Sequence, residues 1–144
     1  MKKILILNGP NLNLLHLRDK EIYGDLSLSR ISSECEKIAK ECGIEVDFQQ
    51  SNSEGELVDM IQSAIDGFDG IIINAAAYTH TSVAIRDALE IFKKPKIELH
   101  ISNIFRREEF RHHSFLSDVV DGVICGLGCQ GYGLAVHAIS QMIK

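Results

Sequence analysis

Short apolar segments alternate with longer amphipathic segments along the whole chain. Each apolar segment spans six or seven residues, is rich in aliphatic or β-branched side chains and ends in polar or turn-forming residues. That pattern predicts a buried strand. The five segments are KKILIL at 2–7, IEVDFQ at 44–49, DGIIIN at 69–74, KIELHI at 96–101 and VVDGVIC at 119–125.

The segments between these strands show helical spacing. Residues 28–42 place apolar side chains at alternating intervals of three and four, and Gly43 follows as a stop signal. Ser53, followed three residues later by Glu56, forms a capping-box pattern that opens a helix running to Gly67. The remaining helices are predicted at 81–92 and 130–143.

Strands that are joined through helices cannot form hairpins, so the alternation predicts a parallel sheet with helices on both faces. Right-handed crossovers favour a flavodoxin-like α/β fold, a three-layer αβα sandwich with five parallel strands. The length of 144 residues suits a single domain, 1–144. In such sheets ligands bind outside the carboxyl ends of the strands.

Composition narrows the class of partner. The formal charge of −5 argues against nucleic acid or an anionic membrane as the main partner. No segment approaches the ~20 apolar residues of a membrane span, so we expect a cytoplasmic protein. The four cysteines, none of them in CxxC spacing, are then expected to be reduced and mostly buried: Cys35, Cys42, Cys125 and Cys129.

Polar residues follow three of the predicted strands and indicate a pocket at one edge of the sheet. The segment NGPNLNLLHLRDKEIYG (8–24) follows the first strand, and segments 74–82 and 100–111 follow the third and fourth. A connection as long as 8–24 without regular spacing is usually either functional or disordered.

Several common ligand motifs do not fit. GLGCQG (126–131) matches G-x-G-x-x-G, but a dinucleotide site needs a further strand and an acidic residue ~20 positions on, so these glycines are expected to serve a tight turn and close packing. Asn8 and Asn74 stand where a phosphate-accepting receiver fold needs carboxylates to bind a cation. His112 and His113 are adjacent and do not converge on one metal, so no metal site is predicted.

Seven segments together identify a family resemblance, and they span essentially the whole chain. They are LNGPNLNLL (7–15), R-x-x-x-x-YG (18–24), QSNSEGELVDMIQ (50–62), IINAAAYTHTSVAIRDAL (72–89), ELHISN (98–103), REEFRHHS (107–114) and GVICGLGCQGYGLA (122–135). The sequence resembles the type II 3-dehydroquinate dehydratases of the shikimate and quinate pathways. The resemblance implies a flavodoxin-like hydro-lyase that converts 3-dehydroquinate to 3-dehydroshikimate without any cofactor. It also implies a homo-dodecamer, a tetramer of trimers.

The resemblance also assigns roles to individual residues. Tyr23 is implied as the base, Arg18 as its electrostatic partner, His100 as the general acid and Asn11 as a residue near the reaction centre. Residues 9–24 would form a lid that carries Arg18 and Tyr23. Positions that match substrate-binding residues are Asn74, His80, Asp87, Ile101, Ser102 and Arg111.

The residues are also consistent with this chemistry when taken alone. Bringing a tyrosine pKa from ~10 to neutrality takes roughly 3–4 kcal/mol of preference for the phenolate, and one arginine at ~4 Å supplies about 4 kcal/mol. Glu98 and His100 share a strand face by alternation, so the carboxylate could orient the imidazole. His80 and Asp87, seven residues apart, are expected on one helix face.

Two other functions remain compatible with the sequence. One is a flavodoxin-like module that binds a mononucleotide or flavin without catalysis. The other is a structural homo-oligomer that keeps only the fold. Arg111 likewise has a plain alternative, a surface salt bridge within the charged REEFR segment.

Overall fold

The computed structural model describes residues 1–23 and 27–143, apart from the side chain of Tyr23. The strands are β1 (Lys3–Asn8), β2 (Glu45–Gln50), β3 (Gly70–Asn74), β4 (Lys96–His100) and β5 (Gly122–Cys125). The α-helices are α1 (Lys20–Tyr23), α2 (Leu28–Glu41), α3 (Glu54–Gly67), α4 (Val83–Ile91) and α5 (Gln130–Met142). Short 3-10 helices are formed by Leu12–Leu17, Ala76–His80, Ile104–Arg106 and Glu109–Arg111.

The five strands form one parallel sheet in the order β2-β1-β3-β4-β5. This order is that of a flavodoxin-like fold, so the predicted class is confirmed. Asn8 and Asn74 face each other in the register of β1 and β3. The register of β4 and β5 pairs His100 with Cys125, so these polar strand ends lie at the same edge of the sheet.

The side chains of β1 alternate between two separate cores. Ile4 and Ile6 belong to the core that the sheet forms with α2 and α5, whereas Leu5 and Leu7 belong to the core formed with α3 and α4. All four are buried. A strand that is buried on both faces needs apolar residues at every position, which is why KKILIL shows no alternation of polar and apolar residues.

Side-chain hydrogen bonds set the ends of α3 and α4. The Ser53 hydroxyl accepts a hydrogen bond from the Glu56 amide at 3.2 Å, as the capping-box pattern predicts. The Ser82 hydroxyl accepts one from the Ile85 amide at 2.9 Å, so α4 begins at Val83 and not at the predicted residue 81. At the other end of α4, the buried Lys96 ammonium donates hydrogen bonds to two backbone carbonyl oxygens, those of Leu89 at 2.7 Å and Phe92 at 2.6 Å.

The connection after β1 is more regular than its sequence suggests. It contains the 3-10 helix Leu12–Leu17 and the single helical turn of α1. Leu12 and Leu15 are buried in the core beside α2, while Leu14 and Leu17 are exposed. Two leucines of this connection therefore anchor it. The final residue of the predicted lid, Gly24, lies outside the described residues.

The burial of the thiols differs from expectation. Only Cys35 is buried, and Cys42, Cys125 and Cys129 are half-buried. Burial, together with the charges of Glu34 and Glu36, raises the pKa of Cys35 to about 12. Within the described part of the chain, none of the helices is both long and apolar enough to cross a membrane.

Candidate active site

A cavity of about 130 Å³ opens at the carboxyl ends of β1, β3 and β4. The residues that follow all three strands contribute to its wall, as expected for this sheet type. The lining residues are Pro10, Asn11, Leu12, Arg18, Asn74, Ala76, Ala77, His80, His100, Ile101, Ser102, Ile104, Arg107 and Arg111.

The connections after β1 and β3 approach each other closely beside this cavity. The Gly9 amide donates a hydrogen bond to the Asn74 carbonyl at 2.8 Å, and a Cβ at Gly9 would lie 2.3 Å from the Ala75 carbonyl oxygen. Glycine is therefore required at that position. Two other residues here have left-handed backbone, Asn11 with φ 69° and Ala76 with φ 53°. Asparagine tolerates this conformation better than alanine does.

His100 is held by a buried carboxylate. Its Nε2 lies 2.5 Å from Glu98 Oε2, and Glu98 is 0% exposed. Ser114 donates to the same oxygen at 2.7 Å, and Ser117 donates to Oε1 at 2.6 Å. Burial by itself would raise the pKa of Glu98, but hydrogen bonds and charge from His100 and the two serines bring that pKa below its ordinary value. An ionised Glu98 accepts from Nε2–H, so Nδ1 is the His100 nitrogen left for proton exchange in the cavity.

His80 is held by a backbone carbonyl. Its Nδ1 lies 2.9 Å from the His113 carbonyl oxygen, which can only accept, so Nδ1 carries the proton. Desolvation, with the charges of His100 and Arg111, lowers the pKa of His80, so its ring is neutral near pH 7. The His80 and His100 rings stack with centroids 6.5 Å apart. Nε2 of His80 is then the hydrogen-bond acceptor of the neutral ring.

The expectation that His80 and Asp87 share a helix face is wrong. His80 ends the 3-10 helix Ala76–His80, and Ser82 caps a separate helix, α4, on which Asp87 is exposed. Asp87 does not line the cavity described here.

Asn74 is fixed by a tyrosine from the opposite end of the chain. The Tyr132 hydroxyl of α5 donates to Asn8 Oδ1 at 2.6 Å and accepts from Asn74 Nδ2 at 2.9 Å. The other side-chain atom of Asn74, Oδ1, accepts from the Ala76 amide at 3.2 Å. All three side chains of the Asn8–Tyr132–Asn74 set are buried. Burial raises the pKa of Tyr132 well above its ordinary value, so this phenol stays protonated.

Arginine side chains supply positive charge to the cavity. Arg18, Arg107 and Arg111 all contribute to its lining. Arg111 also donates from Nε to Glu108 Oε2 at 3.2 Å, so the salt bridge within the REEFR segment and a place in the cavity wall occur together. Three arginines around one small cavity favour an anionic ligand.

A second, larger space of about 760 Å³ adjoins the cavity and shares Ile101, Ser102 and Arg107 with it. Three residues of α1, Lys20, Glu21 and Ile22, line this space opposite the ends of β4 and β5. The predicted lid therefore contributes residues to both spaces. Tyr23 ends α1, but its side chain lies outside the described residues.

The comparisons with known proteins agree with one another. A model of the family described as dehydroquinase class II matches residues 2–140. The chain belongs to the class II dehydroquinase family. The 3-dehydroquinate dehydratase of Idiomarina loihiensis is 59% identical over 137 residues, which cover 94% of this chain and 90% of that protein. Its counterpart from Prochlorococcus marinus is 51% identical and covers 98% of this chain and 97% of the relative.

Solved class II dehydroquinase structures share the fold over nearly the full length. The type II dehydroquinase from Butyrivibrio crossotus is 48% identical with a TM-score of 0.93, covering 96% of this chain and 97% of its own. The enzyme from Propionibacterium acnes is 42% identical with a TM-score of 0.95, covering 98% and 97%. The family resemblance seen in the sequence is confirmed.

Among the class II dehydroquinase site residues named from the sequence, most lie together in this cavity. Glu98 stands behind His100, outside the cavity wall. The predicted residues that line the cavity are Asn11, Arg18, Asn74, His80, His100, Ile101, Ser102 and Arg111.

Some residues around this site were given no role in the sequence analysis. Arg107 lines the cavity, Tyr132 holds Asn74, and Ser114 and Ser117 hold Glu98. Arg107, Ser114 and Tyr132 fall within the segments that carry the family resemblance, so their motifs were a usable signal. Ser117 falls outside those segments, and nothing in the sequence pattern marks it.

The glycine-rich segment after β5 has the role predicted for it. Gly126 and Gly128 have φ of 86° and 72°, which form the turn into α5. A Cβ at Gly131 would lie 2.9 Å from Leu99 Cδ1, so α5 packs closely on β4. The motif therefore serves the turn and the packing of this class II dehydroquinase, as expected.

Proposed function

We propose that this chain is a hydro-lyase that removes water from 3-dehydroquinate to give 3-dehydroshikimate, by trans-elimination through an enolate and without a cofactor. The observation that carries the proposal is the convergence of His80, His100, Asn74 and Arg18 on one cavity in a chain of the class II dehydroquinase family. The reaction needs a base for the proton next to the ketone, a group that stabilises the enolate and an acid for the departing hydroxyl.

We assign the base to Tyr23 and its electrostatic support to Arg18. The assignment rests on the R-x-x-x-x-YG segment and on the place of Arg18 in the cavity wall. A guanidinium remains charged at any working pH, so it favours a phenolate more dependably than a lysine would. Asn11, on the same connection, is assigned to the enolate region.

We assign the general acid to His100. Its Nε2–H is engaged by Glu98, so a proton delivered to the leaving hydroxyl would come from Nδ1. Protonation at Nδ1 makes an imidazolium whose charge the buried Glu98 carboxylate offsets at 2.5 Å.

Substrate recognition is assigned to the polar groups around these two residues. The neutral His80 can accept a hydrogen bond from a substrate hydroxyl at Nε2. Asn74 presents an amide of fixed orientation, and Arg111 suits the substrate carboxylate because a guanidinium can bind it with two hydrogen bonds. Ile101 and Ser102 complete the wall. Substrate binding by Asp87 stays a prediction.

The test is to supply 3-dehydroquinate and follow the ultraviolet absorbance of the conjugated enone acid. We expect turnover by the natural chain, and a loss of at least about 100-fold in kcat for His100→Gln, because a positioned general acid contributes ~10²-fold or more. His137→Gln, an exposed histidine on α5, is the matched control and should retain full activity. A folded protein that gives no enone signal refutes the proposal.

A second experiment separates this mechanism from imine chemistry. Borohydride added with substrate reduces a lysine Schiff base to a stable adduct. We expect the chain mass to be unchanged after that treatment. A mass increase equal to one reduced substrate on a lysine would refute the enolate route.

The other interpretations receive less support. The relatives are named as dehydratases, which does not favour a flavin- or mononucleotide-binding module. A colourless purified protein is the expected result, and bound yellow flavin would contradict it.

We further propose a cytoplasmic homo-dodecamer acting in the shikimate pathway of aromatic amino acid biosynthesis. Exposed Phe105 and Phe110 are consistent with association, and light scattering should give about twelve chain masses.

A further inference from the structure

One segment behind the cavity holds both histidine rings. This supporting segment, residues 113–118, runs from the end of the last 3-10 helix towards β5. Its His113 carbonyl accepts from His80 Nδ1 at 2.9 Å. Its serines 114 and 117 donate to the two oxygens of Glu98 at 2.7 and 2.6 Å. The same short segment thus determines the ring orientation of His80 directly and that of His100 through Glu98.

The supporting segment is itself fixed from α4. Arg86 donates to the Phe115 carbonyl at 2.9 Å and forms a two-pronged ion pair with Asp118. The Phe115 amide donates to the Thr79 carbonyl at 2.9 Å, and Leu116 is 0% exposed. A segment that is tied at both flanks and buried in its middle can present its hydroxyl groups in one geometry.

Glu98 has little freedom once these bonds are made. Oε2 accepts from His100 and Ser114, and Oε1 accepts from Ser117. Ser117 is exposed, whereas Glu98 is buried, so without the Ser117 hydroxyl Oε1 would lose the hydrogen bond that it now accepts from this serine. The carboxylate would then turn towards the donors that remain, and its alignment with His100 Nε2 would change.

We propose that Ser117 is a positioning residue: by holding Oε1 of Glu98, it keeps the His100 ring with its proton at Nε2 and with Nδ1 available to the cavity. The consequence for turnover rests on the proposed function, in which His100 is the acid. The ring geometry does not rest on it. Ser117 is a cleaner probe than Ser114, whose hydroxyl also accepts from the Leu116 amide at 3.0 Å and so shapes the turn.

The test compares Ser117→Ala with Ser117→Thr, which keeps the hydroxyl. Ser140→Ala is the control, because it removes a serine hydroxyl that likewise donates to a single oxygen acceptor, the His137 carbonyl within α5. We expect Ser117→Ala to lower kcat about 10-fold, a part of the ~10²-fold or more that a positioned acid contributes, with KM within about twofold. Ser117→Thr should restore kcat, and Ser140→Ala should leave both constants unchanged.

A second readout does not depend on activity. Solid-state NMR of sedimented protein with ¹⁵N-labelled histidine reports which ring nitrogen carries the proton, and His100→Gln assigns the signal. We expect every His100 ring of the natural chain to carry a proton on Nε2, whether or not Nδ1 is also protonated, and we expect a mixture of rings with and without the Nε2 proton in Ser117→Ala. If that mixture appears while kcat is unchanged, the positioning stands and the acid role of His100 fails.

An unchanged His100 signal in folded Ser117→Ala overturns the inference, whatever happens to kcat. The inference is also overturned if Ser117→Ala and Ser117→Thr lose kcat equally while the His100 ¹⁵N signal is unchanged, because that result indicates a general structural effect. If Ser117→Ala does not fold, Ser117→Cys replaces it, since a thiol is a weaker donor of similar size. It should give a smaller shift towards the mixture, and an unchanged signal there also overturns the inference.

Discussion

Removing the Tyr132 hydroxyl should destabilise the protein and weaken catalysis together. Tyr132→Phe keeps the aromatic ring, which is 1% exposed, and deletes one oxygen. That oxygen donates to Asn8 at 2.6 Å and accepts from Asn74 at 2.9 Å. The substitution therefore leaves one buried acceptor and one buried donor without the partner they had, while the packing of α5 on the sheet is unchanged.

The expected loss in the free energy of unfolding follows from the side-chain amides of Asn8 and Asn74. A buried polar group that loses its partner costs about 1–3 kcal/mol. Each asparagine keeps a second hydrogen bond: the Asn8 side chain still donates to the Gln49 carbonyl, and the Asn74 side chain still accepts from the Ala76 amide. Both side-chain amides therefore stay partly satisfied. We expect a total loss of about 2–4 kcal/mol in the free energy of unfolding. Asn74 would also gain rotational freedom at the cavity, so kcat/KM should fall.

The assay is urea unfolding at equal protein concentrations, with enone formation measured on the same samples. Tyr78→Phe is the matched control, because its hydroxyl donates at 2.7 Å to the Asn52 carbonyl in a more exposed place, where we expect a loss below about 1 kcal/mol. Equal losses for the two variants would refute the reasoning, since burial would then not decide the cost. Tyr132 should remain neutral, so its contribution is complete below pH ~10 and declines only at higher pH.

Three further changes test the forces around the site. The folded protein lowers the pKa of Glu98, so the ionised carboxylate stabilises the fold above the ordinary glutamate pKa of about 4.5, and this stabilisation is lost as the pH falls. In urea unfolding, the difference in stability between the natural chain and Glu98→Gln should therefore be smaller at pH 3 than at pH 7. The same difference at both pH values would contradict this reasoning. Lys96→Met removes the ammonium that donates to two carbonyls at the end of α4, and it should lower the free energy of unfolding by about 2 kcal/mol in the same assay. An unchanged free energy of unfolding would show that the desolvation cost of the buried lysine cancels the gain from its hydrogen bonds. Gly126→Ala would place a Cβ 2.8 Å from Asn103 Cβ at a φ of +86° and should lower the unfolding temperature. Gly55→Ala, near the start of α3, meets ordinary contacts only and should raise the unfolding temperature, because it stabilises the folded state by about 0.5–1 kcal/mol. The reverse order of the two unfolding temperatures would refute the steric argument.

The elements of the sheet were predictable because their signals are local. A continuous apolar run such as KKILIL marks a strand that is buried on both faces, and a Ser53–Glu56 pair marks the start of a helix. The errors are of the size expected for boundaries: α4 begins two residues later than its predicted start because Ser82 acts as its cap. The helical turns within the connection 9–24 were not predicted, for a different reason. Its helical turns are short and show no repeating apolar spacing, yet Leu12 and Leu15 enter the core.

Site residues were predictable where they follow a strand or belong to a family segment. His100 and Glu98 lie on one face by strand alternation, and their 2.5 Å contact confirms that geometry. The expected pairing of His80 with Asp87 fails because residues 81 and 82 separate two different helices. Spacing in sequence indicates a shared face only when one helix runs through both positions.

The sequence by itself determined the order of elements, the parallel sheet and the edge at which polar side chains gather, because these depend on periodicity and on the strand-end rule for such folds. The tertiary structure alone decided which distant groups meet there. Tyr132 reaches Asn8 across 124 positions, and Ser117 reaches Glu98 across 19. No local pattern records such contacts, because they depend on how helices and connections pack over the sheet. Those contacts set the proton positions and amide orientations on which the chemistry depends.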